Sequence, residues 1–153
     1  MEIKDGKNHI LEVKELIIEY TQLLNRDLSF QNLEEELKDP GKKYTPPEGE
    51  LLIAIEEGKI LGMVAYHKLN EKTCEMKRLY VKPNTRGKHI GDELVREIIS
   101  HARDEGYSEM VLDTIKPLKP AINLYKKYGF EECEPYYNNP MDDVIYMKKD
   151  LKN

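Results

Sequence analysis

The stretch EMKRLYVKPNTRGKHIGDEL, residues 75–94, dictates most of what surrounds it. It reads as a strand of large side chains that breaks at Pro83, a polar loop containing Gly87, and an amphipathic helix entered near Gly91. Leu94, Val95, Ile98, Ile99 and Ala102 recur at three- and four-residue steps, which lays one apolar stripe on a sheet. The first N–H groups of such a helix lack intrahelical partners and carry the positive end of its macrodipole, so loop and helix start together form an anion site suited to phosphate. Arg86 adds a charged planar fork that matches phosphate oxygens. The spacing predicts a phosphorylated ligand, yet the chain has neither the Gly-Lys-Ser/Thr of a P-loop nor the three-glycine turn of a dinucleotide fold.

Arg86, Gly87, Lys88, His89, Ile90 and Gly91 resemble the acyl-CoA pyrophosphate loop of the GNAT superfamily of N-acetyltransferases, which runs Arg or Gln, two residues, Gly, one residue, then Gly or Ala. Arg86 and Gly91 match; His89 stands where the middle glycine is usual. That substitution adds a Cβ, harmless at negative φ and costly at positive φ, and the imidazole is expected to point outward. Downstream, AINLYKKYGFEE, Ala121 to Glu132, is similar to the superfamily's late helix and the strand after it, with Gly129 ending the helix in a left-handed conformation. The resemblance covers Leu51 to Leu151 well and the first 50 residues in outline. It implies one domain over residues 1–153 of α/β (α+β) class. Its mixed, mostly antiparallel sheet would have six to seven strands and about four helices, with two central parallel strands splaying apart around the thioester.

A chain of 153 residues is long enough to bury the core of one such domain. Its formal charge of −5 argues against nucleic acid or an anionic membrane as partner, and mildly favours a cationic substrate. No run approaches the apolar length of a membrane span, and MEIKDGKNHI lacks the apolar centre of a signal peptide, so a cytoplasmic location is expected. Cys74 and Cys133 are too few for a disulfide framework, and the scattered His9, His67, His89 and His101 suggest no metal site.

Along the chain, the apolar spacing predicts a helix from Asn8, its candidate cap, to Leu24. A shorter helix capped by Ser29 turns Phe30, Leu33 and Leu37 inward. Lys38 to Glu50, with three prolines and two glycines, reads as a long loop without regular structure. Leu51 to Glu56 and Lys59 to His67 form a hairpin, followed by a strand over Thr73 to Val81 and a helix from about Ile90 to Asp104. A short apolar strand over Met110 to Asp113, a helix to Tyr128, and closing strands over Phe130 to Pro135 and Val144 to Lys149 complete the order.

Acetyl transfer to an amine needs a deprotonated nucleophile, stabilisation of the thioester oxyanion, and a proton for the departing thiolate. The resemblance implies Glu75 as the base, and simple alternation places Glu75, Lys77, Leu79 and Val81 on one face of their strand. A structural partnership of Glu75 with a lysine is the other reading. It implies Tyr125, in the LYxKxGF pattern, as the acid beside the CoA sulfur, against a tyrosine that merely packs. Acetyl-CoA would be the co-substrate, held by Leu79, Tyr80 and Val81 and by the loop Arg86, Gly87, Lys88, His89, Ile90 and Gly91. The oxyanion would be met by a main-chain N–H near Leu79 to Val81. Leu118 stands where many members carry an asparagine that bonds the cofactor, so one contact is expected to be absent. Lys77 and Arg78, alternating across a strand that should be buried, could bind a substrate carboxylate or simply bury their stems. Cys74 alternates away from Glu75 and is a poor nucleophile candidate. The expected acceptor is a small amine or amino acid. A protein N-terminus or lysine, and a non-catalytic acyl-CoA sensor, are the alternatives, and a homodimer through the closing strands is compatible with all three.

Overall fold

A computed structural model describes residues 1–25, 33–44, 48–85 and 88–152. Its central sheet runs β1 (Glu2–Asp5), β2 (Gly49–Glu56), β3 (Lys59–Lys68), β4 (Thr73–Val81), β5 (Glu109–Ile115), β7 (Val144–Asp150) and β6 (Glu131–Glu132) in spatial order, seven strands in all. Every pairing is antiparallel except β4 with β5. The helices are α1 (Ile10–Leu24), α2 (Leu33–Lys38), the single turn α3 (Pro40–Lys43), α4 (Ile90–Asp104) and α5 (Lys119–Lys127).

Successive strand residues face opposite sides, so the sheet buries two cores. On one side α4 lays Leu94, Val95, Ile98, Ile99 and Ala102 against Leu52, Val64, Cys74, Met76 and Met110. On the other, Val13, Leu16 and Ile17 of α1 cover Leu51, Ile53, Met63, Ala65 and Tyr80. Gly129 adopts φ +94 at the end of α5, the left-handed stop expected there.

Four expectations need correction. A first strand, β1, pairs with β2 before any helix begins; four mostly exposed residues give too short a pattern to read. Asn8 lies inside a 3-10 turn, Gly6–His9, capped by Asp5, whose Oδ1 accepts from the Lys7 N–H at 2.8 Å. The segment from Lys38 to Glu50 contains α3, with Pro40 at its start where a missing N–H costs nothing, and β2 already begins at Gly49. Past Phe130 the ladder holds only Glu131 and Glu132. The expected cap Ser29 and the inward Phe30 lie outside the described residues.

Two irregularities position the site. Met63 pairs with Tyr80 but Ala65 pairs with Lys77, so β4 carries one extra residue there, a β-bulge at Arg78 with φ +61. Beyond it the alternation is reset. Leu79 and Val81 pack with Cys74 and Met76 on the α4 side, while Tyr80 joins the α1 side. The single face expected for Glu75, Lys77, Leu79 and Val81 therefore does not exist. Secondly, β4 and β5 are paired only over Thr73 to Glu75 with Glu109 to Val111, and then part. Because β5 stays paired with β7 through Ile115, the gap opens between β4 and β5 alone.

Candidate active site

The throat of the gap is lined by Lys77, Arg78 and Leu79 from β4, Asp113 and Thr114 from β5, and Tyr125 from α5. A larger cavity leads from it on each side. One, of about 500 Å³, lies between Leu79–Val81, the start of α4 at His89, Ile90 and Gly91, and Leu118, Ala121 and Leu124. The other, of about 440 Å³, is lined by Lys43, His67, Glu75, Lys77, Tyr136 and Tyr137. Lys77 borders both the throat and this second cavity.

The first cavity gathers Leu79, Tyr80, Val81, His89, Ile90 and Gly91 as one wall. Lys88 is not part of that wall, because its ammonium is paired with Glu56 Oε2 at 2.7 Å. Arg86 and Gly87 lie outside the described residues. Gly91 has a packing reason of its own: a Cβ there would lie 3.1 Å from Leu124 Cδ2, where α4 meets α5. Leu118 contributes only apolar surface where an asparagine was the family's usual donor.

His89 precedes α4 at φ +54 with no side-chain cap, and 81% of its side chain is exposed. The conformation is the one the usual glycine serves, so His89 carries a backbone cost of about 1–2 kcal/mol, partly balanced by the ~0.5–1 kcal/mol that glycine loses in chain entropy. His89→Gly is therefore expected to raise stability slightly, by about 1 kcal/mol or less, read as a small upward shift of the denaturation midpoint. A lower midpoint would show that the imidazole makes a contact outweighing the strain.

Glu75 sits at the last paired position before the strands part, with 5% exposure. Its two oxygens are both engaged: Oε1 lies 2.7 Å from His67 Nε2, and Oε2 accepts from the Tyr136 hydroxyl. Lys77, its side chain 9% exposed, stands 3.9 Å from Oε1. Burial pushes the Glu75 carboxyl up, but the His67 contact, the Lys77 charge and the Tyr136 hydroxyl together hold it below its ordinary value. Burial likewise depresses the Lys77 ammonium against the pull of Glu75.

His67 and Tyr136 were not legible as partners of Glu75. The first could have been found by aligning β3 with β4, since His67 and Glu75 are directly opposed in the antiparallel ladder. Tyr136 comes from a loop with no periodic signal.

Tyr125 packs edge-on to Phe130 with ring centroids 5.9 Å apart, and its hydroxyl makes no hydrogen bond among the described residues. Burial raises its proton affinity well above that of an ordinary phenol, with Tyr20 and Asp113 adding to the rise, so the proton stays on at neutral pH. Facing it across the throat, Asp113 accepts from Tyr137 and from Asn139 Nδ2, the latter at 2.7 Å, and Tyr146 fixes the loop by donating to Tyr137 O at 2.8 Å. Cys74 is turned into the α4 core and its thiol is pushed up to about 12 by burial, which removes it as a nucleophile.

Arg78 and Lys77 do not alternate as expected, because the bulge brings both charged heads to the same side. Arg78 Nε and Nη2 donate to Glu36 Oε2 and Oε1 at 2.8 and 3.1 Å, a buried forked pair that ties α2 to the throat. Lys43 adds a third charge at 3.4 Å from Glu36.

The fold that carries these features is similar as a whole to those of solved acetyltransferases. One is the GNAT-family acetyltransferase of Staphylococcus aureus (TM-score 0.82, 20% identity, 98% of both chains covered). Another is the Salmonella typhimurium protein yncA, solved with acetyl-CoA as its cofactor (TM-score 0.72, 20% identity, 99% of this chain and 94% of that one). The sequence itself matches the Acetyltransferase (GNAT) family over residues 13–130, and the chain belongs to that family. Among individual relatives, an N-acetyltransferase of Schizosaccharomyces pombe is 49% identical over 142 residues, 92% of this chain and 87% of its own length. N-acetyltransferase family 8 member 2 of Rattus norvegicus is 34% identical over 110 residues, 69% of this chain and 49% of its own.

Proposed function

We propose that the chain transfers an acetyl group from acetyl-CoA to the amine of a small molecule, by direct attack within a ternary complex. The co-substrate's chemistry fits the first cavity. Its apolar wall suits a pantetheine arm, and the uncapped start of α4 leaves helix N–H groups for a pyrophosphate. The thioester would then reach the throat beside Tyr125.

The observation that carries the acceptor class is the second cavity. At about 440 Å³ it lies within the ~300–1,000 Å³ typical of small-ligand sites. It is a partly open cleft bordered by Lys43 at the end of α3 and by Tyr136 and Tyr137, of a size that suits a small amine. Its mixture of Glu75 and Lys77 suits an amine that also carries polar groups.

In this reading the amine nitrogen attacks the thioester carbonyl carbon, the C–S bond breaks, and Tyr125 supplies the proton that leaves with sulfur. The cytoplasmic address expected from the sequence belongs to the same proposal. The test is release of free CoA from acetyl-CoA against free amino acids, spermidine and short peptides. Turnover of one or more single small amines is the expected result. Turnover confined to peptides would move the acceptor to a protein terminus, and tight acetyl-CoA binding without turnover of any amine would make the chain a sensor.

A further inference from the structure

We propose that His67, and not Glu75, is the base that takes the proton from the acceptor amine, with Glu75 holding the imidazole in place. This rests on the transferase reading above. Glu75 is poorly disposed to act on a substrate directly. Its two oxygens are taken by His67 and Tyr136, and only 5% of the residue is exposed. A carboxylate held below its usual proton affinity is also a weak base.

His67 has the complementary properties. It lines the acceptor cavity and keeps 20% of its side chain exposed. Its Nε2 is 2.7 Å from an ionised carboxylate, which can only accept, so in the neutral ring Nε2 carries the hydrogen and Nδ1 carries the lone pair. Nδ1 makes no hydrogen bond among the described residues. A base oriented by a carboxylate on its far nitrogen is the arrangement that fixes the tautomer and stabilises the imidazolium once formed. Tyr44 lies edge-on to the ring, with centroids 6.5 Å apart. The other charged or titratable groups around the ring are Lys77 on β4, Lys43 on α3, Glu109 on β5, and Tyr136 and Tyr137 from the loop.

The step balances. Nitrogen forms the new C–N bond, its proton moves to Nδ1, the C–S pair leaves on sulfur, and Tyr125 protonates that sulfur. Solvent then returns the proton from His67 to Tyr125.

The experiment compares the unmodified chain with His67→Gln, His67→Ala and Glu75→Gln, using the most active amine from the panel above. Acetyl-CoA binding by calorimetry serves as the control for folding. His67→Gln is expected to lower kcat by about 10²-fold or more with acetyl-CoA affinity unchanged, and to abolish the acidic limb of the kcat/KM pH profile. Added imidazole should restore part of the His67→Ala rate. Glu75→Gln should be slower but keep the limb. If His67→Gln retains both rate and limb while Glu75→Gln loses them, Glu75 is the base and the proposal falls. If the unmodified chain turns over no amine, the transferase reading falls first and takes the base with it.

Discussion

Glu36→Ala is expected to cost about 3–5 kcal/mol of folding free energy, because it leaves the Arg78 guanidinium buried without its carboxylate. The carboxyl's own titration gives a consistent magnitude. Burial raises it, but the Arg78 hydrogen bonds and charge, with Lys43, outweigh that and hold it at about 2 against an ordinary 4.5. That difference is worth about 3 kcal/mol. Since the folded value is depressed, the contribution is fully present above about pH 4.5 and is lost as pH falls toward 2. Denaturant unfolding at pH 7 and pH 3 should therefore show a smaller gap between Glu36→Ala and the unmodified chain at the lower pH. The double substitution Glu36→Leu with Arg78→Met should recover most of the loss, since the cost lies in a buried charge that has lost its carboxylate. An equal penalty at both pH values would trace the effect to lost packing.

Tyr125→Phe is expected to lower kcat by about 10²- to 10⁴-fold while acetyl-CoA still binds. The hydroxyl has no hydrogen-bond partner among the described residues, so its removal should leave stability unchanged or slightly higher, and a loss of rate would be chemical. The raised proton affinity of this buried phenol makes full transfer to a thiolate, whose ordinary value is about 8.5, unfavourable as a separate step. Transfer coupled to C–S cleavage avoids that difficulty. A solvent isotope effect on kcat in the unmodified chain that vanishes in Tyr125→Phe would show the coupling. A Tyr125→Phe chain as fast as the unmodified one would assign the ring to packing against Phe130.

β4 and α4 have the bounds the sequence indicated because each is closed by a residue that cannot continue it. Pro83 follows β4, and Gly106, at φ +96, follows α4. The same clarity failed at Arg78. A positive φ at an arginine has no compositional signature, so the bulge was invisible, and with it the reset that sends Leu79 and Tyr80 to opposite cores. Of the proposed site, Glu75 and Tyr125 were legible through the family pattern. The groups that determine what they can do were not. His67 lies eight residues before Glu75 and meets it only across a ladder, and Tyr136 reaches the second cavity and Asn139 the throat from a loop whose path depends on hydrogen bonds to Asp113 and Tyr146.

The three residue pairs that join β4 to β5 make the molecule two half-sheets meeting at a short joint. Main-chain bonds are continuous at that joint and absent just past it, so resistance to deformation drops within a few residues along β4. Glu75 and the His67 opposite it stand on the stiff side, clamped by ladders to both neighbours. Leu79 to Val81 stand on the compliant side, bonded through β3 only. In the proposed mode of binding, the walls offered to a long, jointed ligand would thus be able to spread and close like the free ends of tongs, while Glu75 and His67 keep their spacing at the pivot.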